Sequence, residues 1–279
     1  MKKRRLDVLS ICLRWLTRGA ALLTTGLVLF IVGYILFNGI PNLRPSLFAP
    51  KYTSDNVSML PALVNTLFMT ALSLLLAAPL GIFAAIYLVE YAGRGNRAVK
   101  VIRLAAETLA GIPSIVYGLF GMIFFVAALR WGYSLLAGAF TLAIMVLPLL
   151  MRTTEEALCA VPDSYREGSF GLGAGRLRTV FKIVLPAAVP GILAGVILAV
   201  GRIIGETAAL VFTAGALEKL AQSPMRSAAT LSVHMYHLSG EGLHIRQTYA
   251  TAVVLMALVL GINGLSSFVA NKMSKGGKH

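Results

Sequence analysis

Six apolar stretches dominate this chain, each near the roughly 20 residues that a helix needs to cross a hydrocarbon core. They run at about Gly19–Phe37, Leu60–Val89, Thr108–Leu129, Leu135–Met151, Ala187–Phe212 and Thr248–Ala270. The expected fold is therefore all-α and integral to a membrane, with six transmembrane helices. Composition agrees. Of 279 residues, 57% are hydrophobic and 13% charged, against about 25% charged in a soluble domain. Mean hydropathy is +0.80. Leu60–Val89 is longer than the core requires, so it must tilt, break near Pro79 or extend into water. Pro113 falls near the start of the third stretch and Pro148 near the end of the fourth.

The net charge of +14 would suit nucleic acid on a soluble domain. Here the positive residues are spread as topology signals, and a nucleic-acid partner is rejected. If the N-terminus lies inside, inside segments hold six Lys/Arg up to Arg18, four from Arg94 to Arg103, five from Arg152 to Lys182 and three from Lys272 to Lys278. Outside segments hold six. That bias puts both termini in the cytoplasm. The basic start "MKKRRLDVLSICLRWLTR" precedes a stretch long enough to span, with no small-residue cleavage site after it, so an uncleaved first helix is expected. Cys12 and Cys159 read as free cytoplasmic thiols, without disulfide or metal spacing. The chain divides into residues 1–59 (basic tail, first helix and outer loop), a five-helix core over 60–271, and a basic tail over 272–279. The outer loops are Asn38–Met59 and Thr213–Gln247, and the second is expected to carry a short surface helix.

The cytoplasmic loop 162–186, "PDSYREGSFGLGAGRLRTVFKIVLP", has a pattern of its own. Ser164 and Glu167 form an S-x-x-E capping box, predicting a helix from Tyr165. Gly173 and Gly175 permit a sharp turn. Leu177, Val180, Phe181 and Val184 then share one apolar face, opposite Arg176, Arg178 and Lys182, and Pro186 is expected to end this second helix. Such a loop can lie on anionic lipid or dock into a partner's groove. "GLGAGR" lacks phosphate-loop spacing and follows no strand. No nucleotide site is expected in this chain, so in an energy-driven process ATP and Mg would belong to a partner ATPase.

The loop resembles that of type I ABC importer permeases, which has the form E-A-A, three residues, G, nine residues, I, one residue, L-P. The matching residues are Glu167-Gly168-Ser169, Gly173, Ile183 and Leu185-Pro186, with small residues replacing the two alanines. The resemblance implies a coupling helix docked on an ATPase, with Glu167, Gly173, Leu177, Phe181, Ile183, Leu185 and Pro186 at the contact. The segments "NTLFMTALSLLLAAPLGIFAAIYLVEYA", "ETLAGIPSIVYGLFG" and "GRIIGETAALVFTAG" are similar to the PstA-type permease subunits of phosphate importers, over about residues 60–270. The resemblance implies a subunit that is not an enzyme, in a bacterial cytoplasmic (inner) membrane. Its partners would be a homologous permease chain, two ATPase subunits and an extracytoplasmic phosphate-binding protein.

Arg202 and Glu206 stand in an apolar run, where charges are costly and usually face a cavity or a partner. Four residues apart on a helix, they are expected to share one face, with Arg202 near mid-membrane. They could pair with each other or line a substrate pathway, where the planar guanidinium suits phosphate oxygens and the carboxylate could accept from a protonated one. Two small-residue stripes, Gly191/Gly195/Ala199 and Gly201/Gly205/Ala209, allow close helix approach. Glu107 reads as a charge at the start of the third span, favoured by the helix dipole, or as a pathway residue. Glu155 and Glu156 read as facing cytosol. Asn65, Thr66 and Asn263 read as interhelical hydrogen-bond partners. His234, His237 and His244 lack the ligand set expected of a metal site, and none is assigned. Sulfate or molybdate transport remains an alternative, as does an ion-coupled secondary transporter.

Overall fold

The computed structural model describes residues 8–92 and 95–276, and every regular element among them is helical. The topological charges at Lys2–Arg5, Arg94 and Lys278 lie outside the described residues. Among the described residues, five helices are long and apolar enough to cross a membrane, and six if one bent pair counts as a single span.

Helix α1 (Val8–Gly39) is followed by an outer loop and α2 (Leu60–Ile86). The chain passes Pro79 without a break and continues through a wide π-helical turn, Tyr87–Tyr91. The excess length of this stretch is therefore resolved as extension.

The third span is not the straight helix expected over Thr108–Leu129. Helix α3 (Arg97–Ala110) and helix α4 (Ser114–Gly121), prolonged by a π turn over Met122–Ala128, meet at 100°. The cause is local. Gly111 ends α3 and Pro113 sits at the N-cap of α4. Proline has no N–H to donate and steers the residue before it away from helical geometry. Asn96 starts α3 by accepting the Ala98 N–H at 2.9 Å.

Ser134 caps α5 (Leu135–Cys159) through the Ala137 N–H, and α5 continues beyond Met151. The loop helices α6 (Asp163–Gly171) and α7 (Arg176–Thr179) follow. Helix α7 runs without interruption through a π turn, Val180–Val184, into α8 (Leu185–Gly205), giving one helical rod of 30 residues. Pro186 thus lies inside a continuous helix rather than ending one. A proline ring crowds the carbonyl four residues back, and the wider turn before it relieves that clash. A short α9 (Ala208–Val211), α10 (Leu231–Glu241) and α11 (Ile245–Gly276) complete the chain. Helix α10 is the short helix expected in the second outer loop; it buries Leu231, Val233, His234 and Leu238 and leaves Tyr236, Ser239 and Gly240 exposed.

The core is a layer of α2, α5 and α8 built on Met69, Leu142, Val146, Leu150 and Ile203, with Leu210 of α9 packed into it. Helix α1 stands apart and meets α11 through Gly39 and the edge-to-face pair Tyr34–Tyr249, 5.8 Å between centroids. Its Leu22, Leu29 and Phe30 remain exposed, as hydrocarbon-facing side chains would be.

The stripe Gly191/Gly195/Ala199 seats α8 on α5. A Cβ at Gly191 would sit 2.6 Å from the Ala157 Cβ, and one at Gly195 would overlap Thr153. Overpacking a filled contact costs about 1–3 kcal/mol. Gly195→Leu should therefore lower the detergent-solubilised protein's thermal midpoint, read by fluorescence-detected size exclusion, whereas Gly168→Ala, in open space, should leave it unchanged.

Candidate functional site

Arg202 occupies the last turn of α8. The antiparallel seating of Gly195 on Thr153 and Gly191 on Ala157 places Arg202 level with Met145 and Val146, midway along α5. It is exposed in the isolated chain and forms no ion pair among the described residues. Its side chain lines a cavity of about 490 Å³ between α3, α5 and α8, which reaches Glu155, Glu156 and Cys159 at the loop-bearing end of α5.

Glu206 does not share a helix face with Arg202. Helix α8 ends at Gly205, and Glu206 is extended, with φ −72° and ψ 127°. Its Oε1 accepts the Ala209 N–H at 3.1 Å, capping α9. Its backbone carbonyl accepts from the Ser232 hydroxyl at 2.7 Å. A glutamate after the paired small residues of "GRIIGETAAL" is better placed to cap the next turn than to continue the first. The turn fits because Gly118 lets α4 lie directly against α9: a Cβ there would come within 2.8 Å of the Ala209 Cα.

The 100° bend moves Glu107 away from a helix start. It lies in the last turns of α3, so the dipole reading fails, and it enters the same cavity as Arg202. Glu155 and Glu156 also line this cavity rather than simply facing out. Glu155 binds Arg103 and so ties α3 to α5, and Glu156 binds Arg152 at 3.0 Å.

The loop is held by a residue that spacing rules could not flag. Arg166 binds Glu90 at 2.7 Å, donates to the Leu158 and Val161 carbonyls at 2.9 and 2.8 Å, and contacts Asp163 at 3.2 Å. One guanidinium thus joins the end of α2, the end of α5 and the loop. The hydrogen bond to Glu90, opposed by burial, raises the Arg166 pKa above its ordinary value. A hydrogen bond of 2.8 Å between Ser169 and Thr179 joins α6 to α7.

Helix α6 begins at Asp163 with Pro162 at its N-cap and no side-chain cap. The expected Ser164/Glu167 box is therefore absent, because proline's fixed φ already starts the helix. Gly173 takes φ +81°, as the turn requires. The apolar face of the second helix divides. Val180 and Val184 are buried, while Leu177 stays 66% and Phe181 39% exposed. Phe170 and Leu172, at the end of α6 and just after it, are exposed as well. Glu167 is exposed, Ile183 and Leu185 are half-buried, and Pro186 is exposed.

At the opposite end, Asn65 and Thr66 act as the expected tethers. The Asn65 amide donates to the Lys219 and Ala229 carbonyls and accepts the Ala221 N–H, and the Thr66 hydroxyl accepts the Leu231 N–H at 2.8 Å. Asn263 lies near Gly201, and its Oδ1 finds no partner among the described residues. His234 is fully buried and pairs with Glu218 at 2.9 Å. Burial, with a bond to Glu218, raises the pKa of the Tyr52 phenol beside it.

Helices long enough to span a membrane, an arginine facing a cavity between them and exposed apolar side chains on a loop describe a multi-pass membrane protein. The chain belongs to the family described as "Binding-protein-dependent transport system inner membrane component", which matches residues 77–275. It is 35% identical to the phosphate transport system permease protein PstA of Haemophilus influenzae, over 84% of this chain and 86% of that one. It is 41% identical to the PstA of Pasteurella multocida, over 67% and 68%. A probable ABC transporter permease protein of Bacillus subtilis, YqgI, is 33% identical over 80% and 81%. In fold it is similar to a chain of a bacterial ABC transporter that imports alginate (TM-score 0.63, 17% identity, 94% of this chain and 97% of that one). It is also similar to a chain of the MetNI methionine ABC transporter (TM-score 0.60, 19% identity, 77% and 94%). The fold is that of type I ABC importer permeases.

Removing one partner of a buried ion pair costs roughly 3–5 kcal/mol, and the Glu90 side chain is only 8% exposed. Arg166→Ala should therefore speed limited proteolysis between Gly171 and Gly175 at least tenfold, and adding Glu90→Gln should recover part of the protection. Unchanged cleavage in Arg166→Ala would mean the loop is held by other contacts.

Proposed function

We propose that this chain is the permease subunit of an ATP-driven importer that moves inorganic phosphate into the cytoplasm. Arg202 carries the proposal. An unpaired guanidinium halfway along the bundle needs water or an anion, and its planar fork matches phosphate oxygens. Glu206 serves the pathway by building the turn behind Arg202. Relatives named as phosphate permeases support the choice of substrate.

In this reading both termini lie in the cytoplasm of a bacterium, and the chain sits in the inner membrane. A homologous permease chain covers the exposed face of Arg202, so that the passage runs between the two. An extracytoplasmic phosphate-binding protein delivers the ion. The chain is not an enzyme; ATP and Mg are bound by two separate ATPase subunits, and one of these receives the exposed side chains of Phe170, Leu172, Leu177 and Phe181. The motif positions Glu167, Gly173, Ile183, Leu185 and Pro186 shape and orient that contact. The continuous rod from Arg176 to Gly205 supplies the coupling. A push on the loop shifts Arg202 as part of the same rigid element, through contacts that pack like a core and do not deform gradually.

In the reconstituted four-component transporter, Arg202→Ala should abolish ATP-driven phosphate uptake while the complex still co-purifies. Arg202→Lys, which keeps the charge but loses the fork, should retain at most about a tenth of the rate, since one bidentate contact carries roughly 1.5–3 kcal/mol. Uptake at the normal rate by Arg202→Ala would refute the pathway role.

A further inference from the structure

Three arginines and three glutamates line the cavity that ends at Arg202. Two of each are already matched: Glu155 with Arg103, and Glu156 with Arg152. That leaves Arg202 and Glu107 as the cavity's charged side chains with no ion-pair contact among the described residues; Arg152 lies near enough for the charge of Glu107 to act on it, but its bond goes to Glu156. Glu107 is held there by construction. The Gly111–Pro113 bend turns α3 across the end of the bundle, and the Arg103–Glu155 bridge, one helical turn before Glu107, pins α3 to α5.

A free carboxylate beside an anion's route is a barrier unless the anion brings a proton to it. Phosphate near neutral pH always carries at least one proton and can form a charge-assisted O–H···O bond. Sulfate carries none, and would meet only repulsion. Glu206, the other carboxylate near Arg202 in sequence, has Oε1 committed to the Ala209 N–H.

We infer that Glu107 is the specificity-determining residue of this passage, its carboxylate accepting a hydrogen bond from a protonated oxygen of the ion held at Arg202 and repelling oxyanions that carry no proton. The inference rests on the phosphate pathway proposed above. It adds a filter inside the membrane, independent of whatever selects the ion outside.

Ala110 lines the same cavity three residues from Glu107 and is exposed, so a cysteine placed there reports occupancy. The assay uses the assembled transporter in inside-out vesicles, with Ala110→Cys, Cys12→Ser and Cys159→Ser in this chain. It measures the rate at which an anionic methanethiosulfonate modifies the thiol at position 110, with inorganic phosphate or sulfate present. With Glu107 intact, phosphate should slow modification and sulfate should not. In Glu107→Gln the phosphate-over-sulfate protection ratio should fall about tenfold or more, because a site built to accept a hydrogen bond is what rejects the analogue lacking the donor. Glu107→Asp keeps the charge on a shorter arm. It should weaken phosphate protection without admitting sulfate, and it carries the test if the glutamine variant does not accumulate. An unchanged ratio in either variant, while Arg202→Ala abolishes protection by phosphate, overturns the role of Glu107 alone. Protection that survives in Arg202→Ala overturns the pathway reading beneath it.

Discussion

A guanidinium halfway through an apolar bundle constrains the architecture around it. Arg202 cannot be sealed in hydrocarbon without a partner, and no carboxylate among the described residues pairs with it. The surroundings fit that requirement. The stripe Gly191/Gly195/Ala199 brings α8 so close to α5 that Arg202 is carried to the middle of α5. The bend at Gly111–Pro113 keeps α3 from filling the space beside Arg202, and the result is a cavity open towards the loop-bearing end. Close packing at Gly191 and Gly195 and open space at Arg202 come from one face of the same helix.

The second organising contact is Arg166. In the proposed role the loop transmits force, and it does not hang from its two ends alone. Arg166 fixes it to α2 through Glu90 and to α5 through two carbonyls, while the rod from Arg176 to Gly205 links it directly to Arg202. The buried faces of Val180 and Val184 hold the rod's lower end, leaving Leu177 and Phe181 free for a partner.

Much of this was legible in the sequence, and the failures share a cause. The spans, the loop and its Gly173 turn follow from hydropathy length and from the conformational freedom of glycine, which are local properties. The 100° bend, the early start of α6 and the continuous helix through Pro186 were misread because a proline alone does not say whether it stops a helix, starts one or sits inside one. That depends on whether neighbouring turns can widen, as Val180–Val184 do. Glu206 looked like a partner for Arg202 because the i, i+4 rule assumes an unbroken helix, and α8 ends between them. Arg166 was obscured for a different reason: it acts on Glu90, far away in sequence, and only the folded chain brings the two together. For Glu107 the sequence left two readings open, and the bend at Gly111–Pro113 removes the helix-start one.

The central claim is that position 202 faces water in the working transporter. It is tested most directly by placing a cysteine there, in a chain otherwise free of cysteine and assembled with its partners. The Arg202→Cys thiol should react with a charged, membrane-impermeant reagent, while cysteines at Ile203, in the packed core, and at Leu29, on the exposed apolar surface of α1, should not. A thiol at position 202 that stays inert both without nucleotide and with ATP trapped would contradict the account.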